Sequence, residues 1–244
     1  MWSRRHFYSQ MACEKKRRIF TVGTTCNTIR NIPARMEIRA IAYNSKYAHS
    51  TLLSTRFERY LFRILQRYLR AREGERVLEV GCNRGSVVKR LQDLGVDAYG
   101  ADINKDAIAE GLTRNLSCMD ATNLTFPDNS FDKVYSLHTI EHIPDLKKAL
   151  AEMERVLKPG GRLVLTYPIE PSFMRGFWCL YHAIVVYKNP LAAREIHVHS
   201  IHPRKLRKLV REFRLNLRHI ASPFLVSLYP QYLTVFEKVK HPSL

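Results

Sequence analysis

Apolar and polar positions alternate along the chain with two different periods, which predict an ordered series of helices and strands. Between residues 50 and 72 the apolar positions recur at steps of three and four, and four arginines fall on the opposite side: Arg59, Arg63, Arg67 and Arg70. This period is typical of an amphipathic helix. We therefore predict a helix here whose apolar side packs on the core that follows.

Short apolar runs alternate with helical patterns from residue 76 to residue 168. The predicted strands are residues 76–81, 97–102, 117–121, 131–138 and 162–168. The predicted helices are residues 86–94, 105–114 and 145–157, the last of which stops before the sequence KPGG. Such alternation predicts crossover connections and a mostly parallel sheet covered by helices on both faces.

The pattern changes after residue 168. Residues 173–187 are apolar and aromatic, and a loop is predicted from there to residue 202. Residues 203–213 have a helical period, with Pro203 in the first turn, where proline is well tolerated. Residues 215–220 and 232–239 are predicted to close the sheet as a final pair of strands.

Composition indicates one soluble α/β domain with additions at its ends. The chain has 244 residues, of which 45% are hydrophobic and 25% charged, and no stretch reaches the roughly 20 apolar residues needed to cross a bilayer. Its five cysteines are scattered without a C-x-x-C pair, which argues against a disulfide framework or a zinc knuckle. We expect reduced thiols.

The net charge of +18 is unevenly distributed. Residues 71–170 carry 13 Lys/Arg and 16 Asp/Glu, whereas residues 1–35 carry 8 and 1, and residues 171–244 carry 12 and 3. Any attraction to a polyanion must therefore reside in the flanks. Residues 1–35 are expected to form a disordered basic extension or to precede a true start at Met36; a mitochondrial presequence is the alternative.

Residues 77–91, VLEVGCNRGSVVKRL, carry the first functional signal. An apolar strand pattern breaks at Gly81 and Gly85 and resumes with helical spacing, as expected of a tight turn that cradles a nucleotide. The dinucleotide fingerprint G-x-G-x-x-G needs glycine where this chain has Asn83 and Ser86, which weakens that interpretation. No Gly-Lys-Ser/Thr follows, which excludes a P-loop.

The segment resembles the E/D-x-G-x-G-x-G loop of class I S-adenosylmethionine-dependent methyltransferases, with Asn83 in place of the middle glycine. Asp102 in YGADIN and Asp120 in CMDATNLTFPDNSFD resemble the acids that end the second and third strands of that family. Residues 75–168 as a whole are similar to a type 11, ubiquinone/menaquinone-type methyltransferase domain. The resemblance implies a Rossmann-like, seven-stranded, mostly parallel sheet with an antiparallel last strand.

In this family the carboxyl edge of the sheet binds S-adenosylmethionine. An acid before the turn suits the cationic cofactor, Asp102 suits the ribose hydroxyls, and Asp120 suits the adenine amino group. Taken alone, Asp102 is more readily a helix-start cap and Asp120 a turn residue. The cofactor-binding positions implied by the resemblance are Glu79, Gly81, Cys82, Asn83, Gly85, Asp102, Ile103, Asp120, Ala121 and Leu137.

Histidines near the end of the fourth predicted strand are the candidates for acid–base chemistry. His138 and His142 lie in SLHTIEHIPD, and His199 lies in HVHSIH. The string HTIEH also matches a zinc protease motif, which its place at a strand-to-helix junction excludes. It resembles the E-x-x-E-H segment of quinone O-methyltransferases, where a divalent ion can bind, but His138 replaces the first Glu, so no metal is expected.

The resemblance divides the chain into a basic extension (1–35), a helical segment (36–72), the cofactor-binding core (73–170), a substrate-side insertion (171–202) and a final helix and strand pair (203–244). The insertion includes residues 173–187, which suit either contact with an anionic membrane or a plain core or dimer helix. We expect a cytoplasmic enzyme that methylates a small or lipid-like acceptor at oxygen. The alternatives are an RNA or protein methyltransferase that uses the basic flanks, and a non-catalytic S-adenosylmethionine-binding protein.

Overall fold

The computed structural model describes residues 55–169, 200–222 and 231–240. The helices in these ranges are α1 (Thr55–Leu69), α2 (Ser86–Asp93), α3 (Lys105–Ala109), α4 (Leu146–Val156) and α5 (Pro203–Leu209). The strands are β1 (Arg76–Val80), β2 (Asp97–Asp102), β3 (Leu116–Cys118), β4 (Phe131–Leu137), β5 (Leu157–Pro168), β6 (Leu215–Ala221) and β7 (Gln231–Lys238). Short 3-10 helices occupy Ile140–His142 and Val210–Glu212.

The seven strands form one sheet in the order β3-β2-β1-β4-β5-β7-β6. Strands β1 to β5 pair in parallel, and β7 is antiparallel to both of its neighbours, β5 and β6. This arrangement confirms the predicted Rossmann-like α/β fold with an antiparallel last strand. The carboxyl ends of β3, β2, β1 and β4 therefore lie side by side along one edge, where ligands bind in such sheets.

Helices cover both faces of the sheet, as the alternating apolar runs predict. Successive residues of β1 point to opposite sides: Val77 belongs to one buried cluster and Leu78 to the other. The first cluster includes residues of α1 and α2, such as Leu69 and Leu91, and the second includes residues of α4 and α5, such as Leu150 and Leu206. Burial on both faces explains why these strands read as nearly continuous apolar runs.

Several elements are shorter than the sequence predicts; the helix expected at residues 203–213, for example, ends at Leu209 and is followed by a 3-10 turn. The helix expected at residues 105–114 ends at Ala109, although Asn104 caps its start by accepting hydrogen bonds from the backbone N–H groups of Asp106 and Ala107. The chain turns at Gly111, and the N–H of Leu112 donates to the carbonyl of Arg84, 2.9 Å away. This contact draws the segment toward the turn after β1, so that β3 begins at Leu116 and ends before Asp120.

Helix α1 has the predicted amphipathic character. Leu65 and Leu69 are buried, whereas Arg59, Arg63 and Arg67 are exposed. Residues 50–54 of the predicted helix, the basic extension 1–35, residues 173–187 and His199 lie outside the described residues. None of the helices that the structure describes is long and apolar enough to cross a bilayer.

Candidate functional site

The turn between β1 and α2 is left-handed at all three positions of the glycine motif. Gly81, Asn83 and Gly85 have φ values of 83°, 49° and 75°. Asparagine tolerates this conformation better than most residues other than glycine because its short polar side chain is compatible with it. The substitution of Asn83 for the middle glycine therefore leaves the path of the turn intact.

Both glycines also allow close packing of the turn against its neighbours. A Cβ atom on Gly81 would lie 2.6 Å from the Cβ of Thr139, in the loop after β4, and one on Gly85 would lie 2.6 Å from a methyl group of Leu116 in β3. Protein side chains therefore occupy the space left by the missing Cβ atoms. The turn is fixed to both flanking strands.

We expect Gly81→Ala to lower the free energy of unfolding by about 3 kcal/mol, since it combines an unfavourable φ with a clash against Thr139. Gly74→Ala is the matched control, because Gly74 has φ 77° and nothing within 4 Å of its hypothetical Cβ. This change should lower the free energy of unfolding only by the cost of the left-handed backbone, roughly 1–2 kcal/mol. Urea unfolding measures both. Thr139→Gly removes the Cβ that an alanine would keep, so adding Gly81→Ala in a Thr139→Gly background should cost no more than the Gly74 control. A Gly81→Ala cost that is as large in that background as in wild type would contradict the clash.

Asp102, the last residue of β2, ties two turns together. Its Oδ2 accepts a hydrogen bond from the N–H of Asn83 at 2.7 Å, and its Oδ1 accepts one from the N–H of Asn104 at 2.8 Å. Burial raises the pKa of this carboxyl, and the backbone donors oppose the rise. Its position at the strand tip agrees with the prediction, and its contacts stabilise the turn directly.

Glu79 lies in β1, two residues before Gly81, and is only 4% exposed. Its Oε2 accepts a hydrogen bond of 3.0 Å from the hydroxyl of Tyr135 on β4. Burial raises the pKa of Glu79 to about 8 despite that bond, and the nearby charge of Asp102 adds to the rise. The glutamate therefore holds a proton at neutral pH unless a cation binds beside it.

The thiol of Cys82 lies close to the carboxyls of Glu79 and Asp102. Its side chain packs against Gly100 of β2, whose hypothetical Cβ would lie 2.6 Å from the sulfur. Burial, followed by the charges of Glu79 and Asp102, raises the pKa of the thiol. The pKa values of all three groups are thus raised, and a bound positive charge would stabilise their ionised forms.

The remaining predicted cofactor positions lie along the same edge. Asp120 follows β3 by two residues, and its Oδ1 accepts hydrogen bonds from the N–H and the hydroxyl of Thr122 at 2.8 and 2.9 Å. Ala121 is next to it, Ile103 follows Asp102 with a 37% exposed side chain, and Leu137 ends β4. The strand order brings these positions together on one edge.

His138 and His142 flank a buried glutamate after β4. His138 has φ 50°, its Nε2 lies 2.5 Å from Oε1 of Gln231, and its Nδ1 lies 3.7 Å from Oε1 of Glu141. Nε2 of His142 lies 3.8 Å from the same Glu141 oxygen. The two histidines that the sequence singles out are therefore brought together, and Gln231 joins them from the start of β7.

Glu141 is 2% exposed, and its Oε2 has no hydrogen-bonding partner within the described ranges. Burial alone would raise its pKa, but the bond and charge of His138 and the charge of His142 outweigh burial and lower it. Burial likewise opposes the charge on His138, whereas Glu141 and Gln231 favour it, so the pKa of His138 is raised. The raised pKa of His138 and the lowered pKa of Glu141 both favour an ion pair between the two side chains.

Three further residues contribute to this site without any signal in the sequence: Tyr135, Thr139 and Gln231. Tyr135 meets Glu79 because the two are partners in the register of β4 with β1, and Gln231 lies 93 residues from His138 along the chain. Tyr135 and Gln231 reach the site only because β4 and β7 pair with their neighbours in the sheet. In the parts of the chain that the structure describes, no group of three or more His, Cys, Asp or Glu side chains is arranged to hold a metal ion.

Comparisons with known proteins agree with the fold. Residues 52–220, more than half of the chain, match the family described as "Methyltransferase domain". A demethylmenaquinone methyltransferase from Renibacterium salmoninarum is 38% identical over 104 residues, which is 41% of this chain and 44% of the relative. A sterol 24-C-methyltransferase from Aspergillus fumigatus is 38% identical over 102 residues, which is 37% of this chain and 27% of the relative.

The chain thus spans less than half the length of both curated relatives. A solved S-adenosylmethionine-dependent methyltransferase from Methanosarcina mazei superposes with a TM-score of 0.59 at 22% identity, covering 72% of this chain and 97% of that one. At this level of identity, the structural match shows that the two chains share a fold.

Proposed function

The chain belongs to the class I S-adenosylmethionine-dependent methyltransferases, and on that premise we propose that it transfers the methyl group of S-adenosylmethionine to a small or lipid-like acceptor. S-adenosylhomocysteine is the second product. The acceptors named in the relatives, a menaquinone precursor and a sterol, are hydrophobic and support this class of substrate.

The observation that carries the proposal is a pair of carboxyls, the buried Glu79 and the half-buried Asp102, beside a left-handed turn at the carboxyl edge of the sheet. When bound there, the cofactor supplies an electrophilic methyl group on a positively charged sulfur. The chain's part is to hold and orient it: Asp102 accepts hydrogen bonds from the ribose hydroxyls, Asp120 accepts one from the adenine amino group, and Glu79 stabilises the positive charge.

We assign the acceptor to the half of the edge formed by β4, β5 and β7, and we propose that the methylated atom is oxygen. The amide oxygen of Gln231 can only accept a hydrogen bond, so Nε2 of His138 carries a proton, and Nδ1 faces the carboxylate of Glu141. A protonated His138 stabilises negative charge on a hydroxyl that is losing its proton. His142 is the proposed base, and Glu141 stabilises its protonated form; His199 remains a candidate outside the described residues.

The test combines cofactor binding with transfer of labelled methyl groups. The purified chain, tritium-labelled S-adenosylmethionine and a panel containing a prenylated hydroquinone, a hydroxysterol and single-stranded RNA should yield label in a hydroxyl-bearing hydrophobic acceptor. Label in RNA or in protein would overturn the acceptor class. Tight S-adenosylhomocysteine binding without turnover on the whole panel would favour a non-catalytic cofactor-binding protein. If the chain bound neither S-adenosylmethionine nor S-adenosylhomocysteine, the proposal would be refuted.

A further inference from the structure

The outer side of α1 presents a row of arginines that the cofactor and acceptor sites do not use. Arg59, Arg63 and Arg67 are exposed at steps of four residues, and exposed Arg70 follows at a step of three, just past the end of the helix. At a rise of 1.5 Å per residue the row extends about 16 Å. Arg70 has φ 54°, which turns the chain away toward β1.

Strand β6 adds two basic side chains near the end of this row. The register of β6 with β7 shifts between Leu217 and His219, which leaves Arg218 as an extra, bulged residue. The ring of His219 stacks on Tyr68 of α1 with centroids 5.0 Å apart, and Nε of Arg218 lies 3.1 Å from a carboxylate oxygen of Glu237 on β7. Bulges re-aim side chains in this way.

Arg162 of β5 connects the helix to the strands. Its Nη1 donates a 2.8 Å hydrogen bond to the carbonyl of Tyr68, and its cross-strand partner on β7 is Glu237. Burial, and then the charge of Arg70, lower the pKa of Arg162; Arg218 contributes in the same direction, while Glu237 opposes it. The guanidinium groups of Arg70 and Arg218 therefore lie close enough to Arg162 to disfavour its charge.

The acids near this cluster do not balance it. Glu237 is the acid that contacts Arg218, and Glu75 is engaged by the ammonium group of Lys133 at 3.2 Å and by the N–H of Arg72 at 2.9 Å. Like charges held together cost free energy, and a bound anion relieves that cost. Guanidinium groups in a row are well suited to phosphate, which they can bind in a bidentate manner.

We propose that the arginine face, defined as Arg63, Arg67, Arg70, Arg162 and Arg218 with His219, docks on the phosphate headgroups of an anionic lipid membrane. Recognition of single-stranded nucleic acid relies on aromatic rings that stack on bases. Here the rings of Tyr68 and His219 stack on each other. What the face offers is an extended line of charge, which suits a planar array of headgroups.

The arginine face is separate from the edge that carries the proposed chemistry. Arg162 pairs with Lys133 near the start of β4, whereas His138 follows the end of that strand. Docking can therefore fail while cofactor binding persists. Membrane attachment through this face stands independently of the proposed methyl transfer.

The test is sedimentation of the full chain with vesicles of phosphatidylcholine alone and with 30% phosphatidylglycerol. We choose Arg70→Asn/Arg218→Gln, because asparagine tolerates a positive φ and glutamine preserves the bulge. At about 1 kcal/mol per basic residue, the double variant should bind anionic vesicles roughly 30-fold more weakly. Arg204→Gln/Lys208→Gln removes two exposed charges from α5, on the opposite face, and should change binding less than about threefold.

Arg70→Lys/Arg218→Lys keeps both charges and should retain binding to anionic vesicles, while thermal unfolding of all variants checks that they fold. An equal loss in the α5 variant would overturn the proposal, since binding would then follow net charge alone. If Arg70→Asn/Arg218→Gln instead lost binding to a 20-nucleotide single-stranded RNA and bound vesicles as wild type does, the arginine face would be assigned to nucleic acid. That result would also overturn the proposal.

Discussion

Alanine in place of Asp102 is expected to weaken binding of S-adenosylhomocysteine by at least about 1.5 kcal/mol, roughly tenfold, because a charged acceptor for the ribose hydroxyls is lost. The same change leaves the N–H groups of Asn83 and Asn104 without their acceptor, so the turn loses its link to β2. Isothermal titration calorimetry on the variant and on wild type measures the loss.

Two further variants sharpen this experiment. Asp106→Ala removes an exposed carboxyl from α3 and should leave the affinity unchanged within about twofold. Asp102→Asn should be almost as damaging as alanine, since an amide has one acceptor oxygen while two backbone donors point at this side chain. Wild-type affinity in Asp102→Asn or Asp102→Ala would refute the assigned role of this residue.

Glu79→Gln is expected to stabilise the ligand-free protein in alkaline solution. The pKa of Glu79 is raised from an ordinary 4.5 to about 8, so above pH 4.5 the unfolded chain releases a proton that the folded chain keeps. Wild-type stability should therefore fall as pH rises from about 4.5 to 8, and it should level off above that value. Glutamine removes this contribution, which is on the order of 4 kcal/mol at pH 8.

The measurement is urea unfolding of wild type and Glu79→Gln at several pH values between 5 and 9. Their difference should grow with pH, and Glu73→Gln, which alters an exposed glutamate, should track wild type. Calorimetry should also show weaker S-adenosylmethionine binding to Glu79→Gln, because the carboxylate that stabilises its charge is missing. Parallel pH profiles for wild type and Glu79→Gln would contradict both the protonated state and its cause.

The sequence predicts the strand and helix series and the carboxyl edge because these depend on local pattern. Gly81 and Gly85 mark the turn, and Asp102 and Asp120 mark strand ends, within short stretches of chain. The early end of α3 is not predictable in this way, since it depends on a contact between Leu112 and Arg84 across two elements.

The ionisation states of the site's side chains cannot be predicted from the local sequence pattern either. The proton on Glu79 results from burial beneath neighbouring strands, and the pairing of His138 with Gln231 depends on how β7 enters the sheet. A residue list from the sequence therefore identifies the acids and histidines of this site. It does not identify which of them is ionised.

Thr139 sits in the notch left by the missing side chain of Gly81, one residue after His138. A larger residue at position 139, introduced to change acceptor preference, should therefore shift the turn between β1 and α2 as well, and any gain in substrate scope should lower cofactor affinity. Evolution faces the same constraint, so new acceptor specificities should arise more readily from strand β7 than from this loop.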